Sequence, residues 1–442
     1  MGARWTAVAA MIAVGACRHP APPPEPVVEG PPAPPPVCAP SAHELRPTGP
    51  LAGVTAYLSA GHGRMLQAGI WDFQRDAFFG SREDLWTARF VIDHLAPTLE
   101  AAGAKVVTLR ERDLHVEQVI VDDADPSFVA DTGGVPGADL DAWAGGDQVL
   151  PAGALARWTL TAPADGRFVV YARWTSAPDR AHEARYTLTR SGGSDARLVD
   201  QRVHGTAWWP LGEVDLRAGE PLEICLDADV GTLSADAIRV GGGMASPGPG
   251  WAEAPAWEVA PIHRRPMLGG PESLAWLDDG QAISDIRYRA RWASWAAGED
   301  PGAVYVSVHT DSDHGAGRGT TVFAGVESSP RMRSTPASSL LSREVRDRVA
   351  AAIGTVDPRW LVRPVQPGDF SEISPKWSRL PSFLIEVGFH DHRRDAERLA
   401  DPAFRTLVAE AMRDGLAAWW GQSRPDSALV LEAPVGGGAG SN

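Results

Sequence analysis

Val54-Thr55-Ala56-Tyr57-Leu58-Ser59, followed by Ala60-Gly61-His62-Gly63, is a short apolar run that ends in a histidine between two glycines. The run predicts a buried β-strand, and the glycines predict a turn that places the imidazole at the carboxyl end of that strand. Open α/β sheets hold their functional sites at this end of their strands. The stretch therefore predicts an α/β sheet with His62 at its functional edge.

Two later runs have the same form. Val304-Tyr305-Val306-Ser307-Val308 precedes His309, and Ser382-Phe383-Leu384-Ile385 precedes Glu386. If the three strands are parallel neighbours, right-handed crossovers bring all three carboxyl ends to one side of the sheet. The sequence therefore predicts that His62, His309 and Glu386 converge.

Glu83 supplies a further carboxylate. It begins a stretch in which apolar residues recur near helical spacing up to Ala102-Gly103, so it lies in a first helical turn and can point back at the sheet edge. Two histidines and one carboxylate leave the fourth position of Zn²⁺ to water, and a second carboxylate can act as base and acid. We predict a zinc hydrolase with His62, Glu83 and His309 as metal ligands and Glu386 as the catalytic residue.

Both carboxylates also have simpler interpretations. Glu83 could be only a favourable anion at a helix start, and Glu386 could form a structural salt bridge with an arginine.

These motifs resemble the zinc-dependent N-acetylmuramoyl-L-alanine amidases of the amidase-3 type. The shared pattern is a Gly-His-Gly, a Glu that opens the first helix, a Ser-x-His strand end and a hydrophobic-Glu-x-Gly-Phe segment. Gly103 to Asp113 resembles the second strand of the family, and Ile286 to Ala293 resembles the helix before the second histidine. The resemblance implies a Zn²⁺ enzyme that hydrolyses the amide between the lactyl group of N-acetylmuramic acid and L-alanine in peptidoglycan.

The chain departs from that pattern at neighbours of the motifs. Arg64 stands for a glycine, Asp311 for an asparagine, and His392, within His390-Asp391-His392, for another asparagine. These changes put specificity in doubt more than reaction type, so Arg64, Asp311, His390 and His392 are candidate substrate contacts. His314, His390 and His392 are expected first of all to be solvated loop residues.

Two other functions remain open on the sequence. One is a zinc peptidase or amidase that acts on a different cell-wall amide. The other is a non-catalytic peptidoglycan-binding lipoprotein that has kept the fold.

The amino terminus predicts export. Residues 1–17 have a basic start, a short apolar core and small residues before Cys17, as in a bacterial lipoprotein signal, with a plain cleaved signal as the alternative. The Pro-rich residues 18–50 predict an extended spacer. We expect a cell-envelope lipoprotein, anchored to the membrane through lipidated Cys17 and facing the periplasm from the outer membrane.

Composition and length set further bounds. The 442 residues suggest two domains with linkers, and the net charge of −15 argues against a nucleic-acid partner. The oligomeric state is not readable from the sequence. Cys38 and Cys225 could pair in an exported chain, but Cys38 lies in the spacer and Cys225 in a strand-like run, which favours two free thiols.

An insert divides the predicted α/β domain. From about residue 116 to 243, alternating strand patterns separated by turn residues predict an antiparallel β-sandwich, which resembles golvesin-like, carbohydrate-binding-type domains. Its tryptophans are expected mainly in the core, with Trp208-Trp209 the best candidate for stacking on a sugar. The predicted organisation is an amidase-like, mostly parallel sheet flanked by helices in two parts (51–115 and 281–424), the sandwich (116–243), a Pro/Gly-rich return segment (244–280) and a disordered tail (425–442).

Overall fold

The computed structural model describes residues 48–137, 141–244, 254–326 and 335–423. The predicted signal, nearly all of the spacer and the tail lie outside these residues. Within the described ranges, no helix is both long enough and apolar enough to cross a membrane.

The first part of the chain forms a buried strand, two small hairpins, a helix and a second strand. Pro97 has no N–H to donate to the carbonyl four residues earlier, which accounts for a π-helical turn within the helix. The bounds are β1 (Thr55–Ala60), β2 (Met65–Gln67), β3 (Ile70–Asp72), β4 (Ala77–Phe78), β5 (Ser81–Arg82), α1 (Glu83–Phe90), the π turn (Val91–Leu95), α2 (Ala96–Ala101) and β6 (Lys105–Thr108).

The insert is built almost entirely of strands. A single 3₁₀ turn (Trp143–Gly145) interrupts them among the described residues. The strands are β7 (Gln118–Val121), β8 (Phe128–Ala130), β9 (Val135–Pro136), β10 (Gln148–Leu150), β11 (Leu155–Thr161), β12 (Gly166–Ala172), β13 (Ala184–Arg190), β14 (Gly193–Val199), β15 (Trp209–Leu216), β16 (Pro221–Asp227), β17 (Leu233–Ala235) and β18 (Ile238–Gly241).

The return segment and the second part complete the α/β domain. The return segment contains 3₁₀ turns at Ala256–Glu258, Pro261–Arg264 and Glu272–Ala275, with α3 (Arg265–Leu268) between them. Residues 393–423 form two helices divided at Asp401, because Pro402 cannot continue the preceding helix. The elements are α4 (Asp285–Ala297), β19 (Ala303–Asp311), β20 (Thr321–Gly325), α5 (Pro336–Val356), β21 (Gln366–Gly368), β22 (Ser382–Phe389), α6 (Arg393–Ala400) and α7 (Pro402–Ser423).

The central sheet has six strands in the order β21-β20-β22-β19-β1-β6. The pairs β6–β1, β1–β19, β19–β22 and β20–β21 are parallel, whereas β20 and β22 pair antiparallel, so β20 and β21 run opposite to the other four strands. This confirms the predicted mostly parallel sheet. The strands that lead to His62, His309 and Glu386 are adjacent, so their carboxyl ends share one edge.

Apolar side chains cover both faces of this sheet. One face packs Leu58, Val306 and Ile385 against the helices α1, α2, α5 and α7. The other face packs Tyr57 and Tyr305 against α4, and the same apolar cluster continues without a break into the insert. The insert and the α/β domain therefore share a core.

The insert is an antiparallel sandwich, as predicted. One sheet has the order β14-β13-β16-β11-β8 and the other the order β15-β12-β18-β7, with a small β17-β10-β9 sheet at the side. Trp158, Trp174 and Trp209 are buried in its core.

The suggestion of a sugar-stacking site at Trp208-Trp209 is wrong. The two residues are only 5% and 3% exposed. The outer face of their sheet is covered by the return segment, since the Trp208 N–H donates to the carbonyl of Met267 at 3.0 Å. Trp208, just before β15, and Trp209, the first residue of β15, pack into different apolar clusters, and both are buried.

Cys225 also differs from expectation. It is buried on β16 and takes part in a disulfide, so the prediction of a free thiol is wrong for this residue. The remaining cysteines, Cys17 and Cys38, lie outside the described residues.

Candidate metal centre and catalytic site

His62 follows β1 in a strained backbone conformation. Its φ is 58°, in the left-handed region that a histidine rarely adopts. Arg289 Nη2 donates to its carbonyl oxygen at 2.6 Å and so holds this turn. The ring is 7% exposed, and its Nε2 lies 3.2 Å from Glu83 Oε1. Its buried Nδ1 has no hydrogen-bond partner in the part of the chain that the structure describes.

His309 lies near the end of β19 and faces the same carboxylate. Its Nδ1 is 2.9 Å from Glu83 Oε1, and its ring meets the His62 ring edge to face at a centroid distance of 5.0 Å. Gly61 makes this approach possible, because a Cβ at that position would lie 2.6 Å from His309 Nδ1. The Gly-His-Gly motif therefore has a steric reason.

Glu83 opens α1 and points back at the sheet edge, as predicted. It is 2% exposed, its Oε1 also accepts from the Thr310 N–H at 3.2 Å, and Arg75 Nε lies 3.4 Å from its Oε2. Burial alone would raise the pKa of Glu83, but hydrogen bonds from His309 and His62 outweigh burial and lower it. The carboxylate is therefore kept ionised.

The three side chains suit a divalent cation. One ligand atom from each of His62, Glu83 and His309 lies within 4.8 Å of the others. Two imidazole nitrogens and one carboxylate oxygen form a donor set that catalytic zinc sites use. His62 Nε2 and His309 Nδ1 both converge on Glu83 Oε1, an arrangement that a shared cation would explain.

Glu386 lies beside this group. It pairs in register with His309 across the β19–β22 ladder, and its buried Oε2 has no hydrogen-bond partner among the described residues. Burial, with the nearby carboxylates Glu83 and Asp311, raises its pKa well above the ordinary value, although His309 opposes the shift. No arginine bridge to Glu386 is found among the described residues, which removes the support for a structural salt bridge. A carboxyl group without fixed partners at this position is free to exchange protons with a reacting group.

Two further buried residues at the site were not predicted from the sequence. Glu372, in the loop before β22, accepts from His309 Nε2 at 3.0 Å and from Ser59 Oγ at 2.6 Å. Arg289, on α4, is fully buried and pairs with Glu372 at 3.2 Å. Arg289 falls in the helix that resembles the amidase-3 pattern, but neither residue belongs to a motif that signals its role.

Two of the candidate substrate contacts lie close to the centre. Arg64 donates from Nε to Glu258 Oε2 at 2.7 Å, and its guanidinium stacks over Phe73 at 3.8 Å. Asp311 is half-buried at the end of β19, and burial raises its pKa. Arg64 is thus already paired, while Asp311 faces the carboxylates of the site.

The two candidate histidines behave differently from each other. His390 is 2% exposed, and its Nδ1 lies 3.0 Å from Thr310 Oγ1, so the expectation of a solvated loop residue is wrong for it. His392 lies at the start of α6, where its Nδ1 is 3.6 Å from Asp395 Oδ1. His314, the other histidine expected in a loop, is exposed. The roles of Arg64, Asp311, His390 and His392 as substrate contacts stay predictions.

Two regions of the chain match known families. Residues 284–418 match the N-acetylmuramoyl-L-alanine amidase family, and residues 146–242 match the golvesin C-terminal domain. The first region includes His309, Glu372 and Glu386, whereas His62 and Glu83 precede it.

An uncharacterized cell wall amidase of Bacillus anthracis is 29% identical over 123 residues, which are 27% of this chain and 22% of that protein. The chain thus spans about a fifth of the length of this relative.

Solved structures give partial matches. The N-acetylmuramoyl-L-alanine amidase from Clostridium difficile 630 is 18% identical, covering 32% of this chain and 67% of that one, with a TM-score of 0.26. A Paenibacillus xanthan lyase is 25% identical, covering 28% of this chain and 13% of that one, with a TM-score of 0.27. The family matches, together with the fold, show that the chain carries a domain of the N-acetylmuramoyl-L-alanine amidase family and a golvesin C-terminal domain.

Proposed function

We propose that the protein is a zinc-dependent hydrolase that cleaves the amide between the lactyl group of N-acetylmuramic acid and L-alanine in peptidoglycan. The observation that carries this proposal is the meeting of His62, Glu83 and His309 beside Glu386 at one edge of the sheet. The amidase family match to residues 284–418 supports the choice of bond.

The proposed reaction assigns a role to each residue. His62 Nε2, Glu83 and His309 Nδ1 would hold the ion, which when bound polarises a carbonyl and acidifies water. Glu386 takes a proton from the attacking water, whose oxygen bonds to the lactyl carbonyl carbon. Glu386 then delivers the proton to the nitrogen as the carbon–nitrogen bond breaks. The products are a lactyl carboxylate and a peptide with a free L-alanine amine.

Replacement of Glu386 tests this assignment. Glu386→Gln keeps the size of the side chain but removes the proton acceptor, so release of dye-labelled fragments from purified sacculi should slow by about 10²–10⁴-fold. Zinc affinity and thermal unfolding should stay close to wild type. The Glu397→Gln variant, which makes the same substitution at an exposed glutamate paired with Arg393, is the matched control. Undiminished release by Glu386→Gln would remove Glu386 from the mechanism.

Export and anchoring form a separate proposal. We propose that residues 1–17 direct export and that Cys17 carries a lipid, so that the enzyme reaches the cell wall from the periplasmic face of the outer membrane. The support is the order of basic, apolar and small residues before Cys17. Labelled palmitate should enter the wild type but not Cys17→Ala. Equal labelling of both would contradict the anchor.

A further inference from the structure

Glu372 has hydrogen-bonding partners on every side. Its Oε2 lies 3.0 Å from His309 Nε2, and its Oε1 accepts from Ser59 Oγ at 2.6 Å and from Tyr305 OH at 3.1 Å. Arg289 Nη1 donates to the same Oε1 at 3.2 Å. The residue is 3% exposed, and these four partners come from β1, β19 and α4. Its carboxylate is therefore fixed in position by the fold.

This contact determines which nitrogen of His309 can bind a metal. A neutral imidazole has one N–H and one lone pair, and a carboxylate only accepts. With the proton on Nε2 and directed at Glu372, the lone pair remains on Nδ1. That nitrogen is the one that faces Glu83 Oε1 at 2.9 Å. Ligand histidines are commonly held in this way by a carboxylate on the far nitrogen.

Arg289 extends the same support to His62. Its Nη2 donates to the His62 carbonyl at 2.6 Å, and its Nη1 donates to the Ala60 carbonyl at 3.2 Å. His62 has a left-handed backbone, a strained conformation that persists only where the surrounding structure holds it. The buried pair of Arg289 and Glu372 thus touches the ring of one predicted ligand and the backbone of the other.

We propose that Glu372 is a positioning residue that fixes His309 as an Nδ1 ligand and, through Arg289, sets both histidines before the ion binds. The inference rests on the proposed zinc site. Glu372 is neither one of the three predicted ligands nor the proposed catalytic residue.

The test measures zinc affinity by competition with a chromogenic chelator, apart from any activity. Glu372→Ala should weaken zinc binding by about 10–100-fold, the usual effect of losing a partner that orients a ligand. Glu372→Gln, which keeps one acceptor oxygen, should lie between Glu372→Ala and the wild type.

Glu111→Gln is the matched control. Glu111 is equally buried and pairs with Arg239 and Arg264, and within the described part of the chain its hydrogen bonds and ion pairs reach none of the predicted ligands. The Glu111→Gln substitution should lower the melting temperature and leave zinc affinity unchanged. If Glu372→Gln and Glu111→Gln lose zinc affinity to the same extent for the same drop in melting temperature, the loss reflects stability alone and the proposal is overturned.

A spectroscopic measurement tests the tautomer itself. Long-range ¹H–¹⁵N spectra of the zinc-loaded protein should show a protonated Nε2 and a metal-bound Nδ1 for His309, which can be assigned with a His309→Gln variant. A metal-bound Nε2 would overturn the proposal. If the spectra show zinc on Nδ1 of His309 but the zinc-loaded wild type leaves sacculi intact, the proposed function is contradicted while the role of Glu372 stands.

Discussion

Gly61 shows how tightly the two predicted histidine ligands constrain their neighbours. Its amide donates to the Val308 carbonyl at 2.9 Å, which keeps the ends of β1 and β19 together. A side chain here would meet the His309 ring rather than solvent. The glycine lets one ligand pass directly beside the backbone that carries the other.

Gly61→Ala should therefore damage the predicted metal site without unfolding the protein. The added Cβ would lie 2.6 Å from His309 Nδ1, a distance that forces the ring to move away from Glu83. We expect zinc affinity to fall by at least about tenfold, as when a ligand loses its orientation. Gly421→Ala, on α7 with open space around it, is the control. Equal zinc affinity in the two variants would contradict this account of the motif.

At the residue scale, the sequence predicts what lies at strand and helix ends. His62 follows β1 and Glu83 begins α1, as single-sequence patterns indicate. His309 and Glu386 lie within β19 and β22, because both strands continue beyond the apolar runs that predict them. Glu372 does not, because its role arises only when residues 63 and 313 positions away are brought to it. The burial of His390 was missed for a similar reason, since β19 supplies its partner Thr310.

Between elements, a buried charge network joins the α/β domain to the insert. Glu111, just after β6, accepts from Arg239 Nη2 of β18 at 3.0 Å and from Arg264 Nη2 of the return segment at 3.2 Å. Tyr171 of β12 also donates to it. Burial opposes ionisation, but the two arginines hold the pKa of Glu111 at about 2.

Glu111→Ala should destabilise the protein by about 3–5 kcal/mol, because it leaves two buried guanidinium groups without their carboxylate. Denaturant unfolding followed by circular dichroism measures the change. Glu397→Ala breaks an exposed pair with Arg393 and should cost at most about 1 kcal/mol. Similar small losses of unfolding free energy in both variants would show that this network contributes little to holding the α/β domain and the insert together.

The insert also contains a carboxyl group that should make stability depend on pH. Asp236, between β17 and β18, is fully buried, and burial raises its pKa to about 8. Asp122 and Asp147 add to the rise, while the Trp143 N–H and Arg173, 3.6 Å away, oppose it. The folded protein therefore keeps a proton on Asp236 at pH values where the unfolded chain has lost it.

The contribution of Asp236 to stability is full below about pH 4 and is lost as the pH rises toward about 8. Asp236→Asn stays neutral and can still accept from Trp143. The difference in unfolding free energy between the wild type and Asp236→Asn should therefore shift against the wild type as the pH is raised from 5 to 9. A difference that does not change with pH would contradict a protonated Asp236.

At the element scale, strands and helices were predictable where one face or one period governs the pattern. The parallel strands are continuous apolar runs because both of their faces are covered, and the insert alternates because it is a sandwich. Trp208-Trp209 could not be interpreted correctly, since only the fold reveals that the return segment covers the outer face of their sheet.

Across the whole molecule, the insert is part of the α/β domain's core rather than an appended module. A single apolar cluster includes Tyr57 and Trp292 of the α/β domain together with Trp209 and Leu211 of the sandwich. The ends of the insert are also close, because Gln118 pairs with Gly241. The sandwich therefore interrupts the chain between β6 and the return segment without separating the strands that build the site.

The identity of the products tests the central claim most directly. Zinc-loaded wild type should be incubated with purified sacculi, and the released fragments analysed by mass spectrometry. We predict stem peptides that begin with a free L-alanine amine and glycan strands that retain intact lactyl carboxylates. New termini elsewhere in the peptide would assign the site to another amide. If no product depends on both zinc and Glu386, the proposed hydrolase is contradicted.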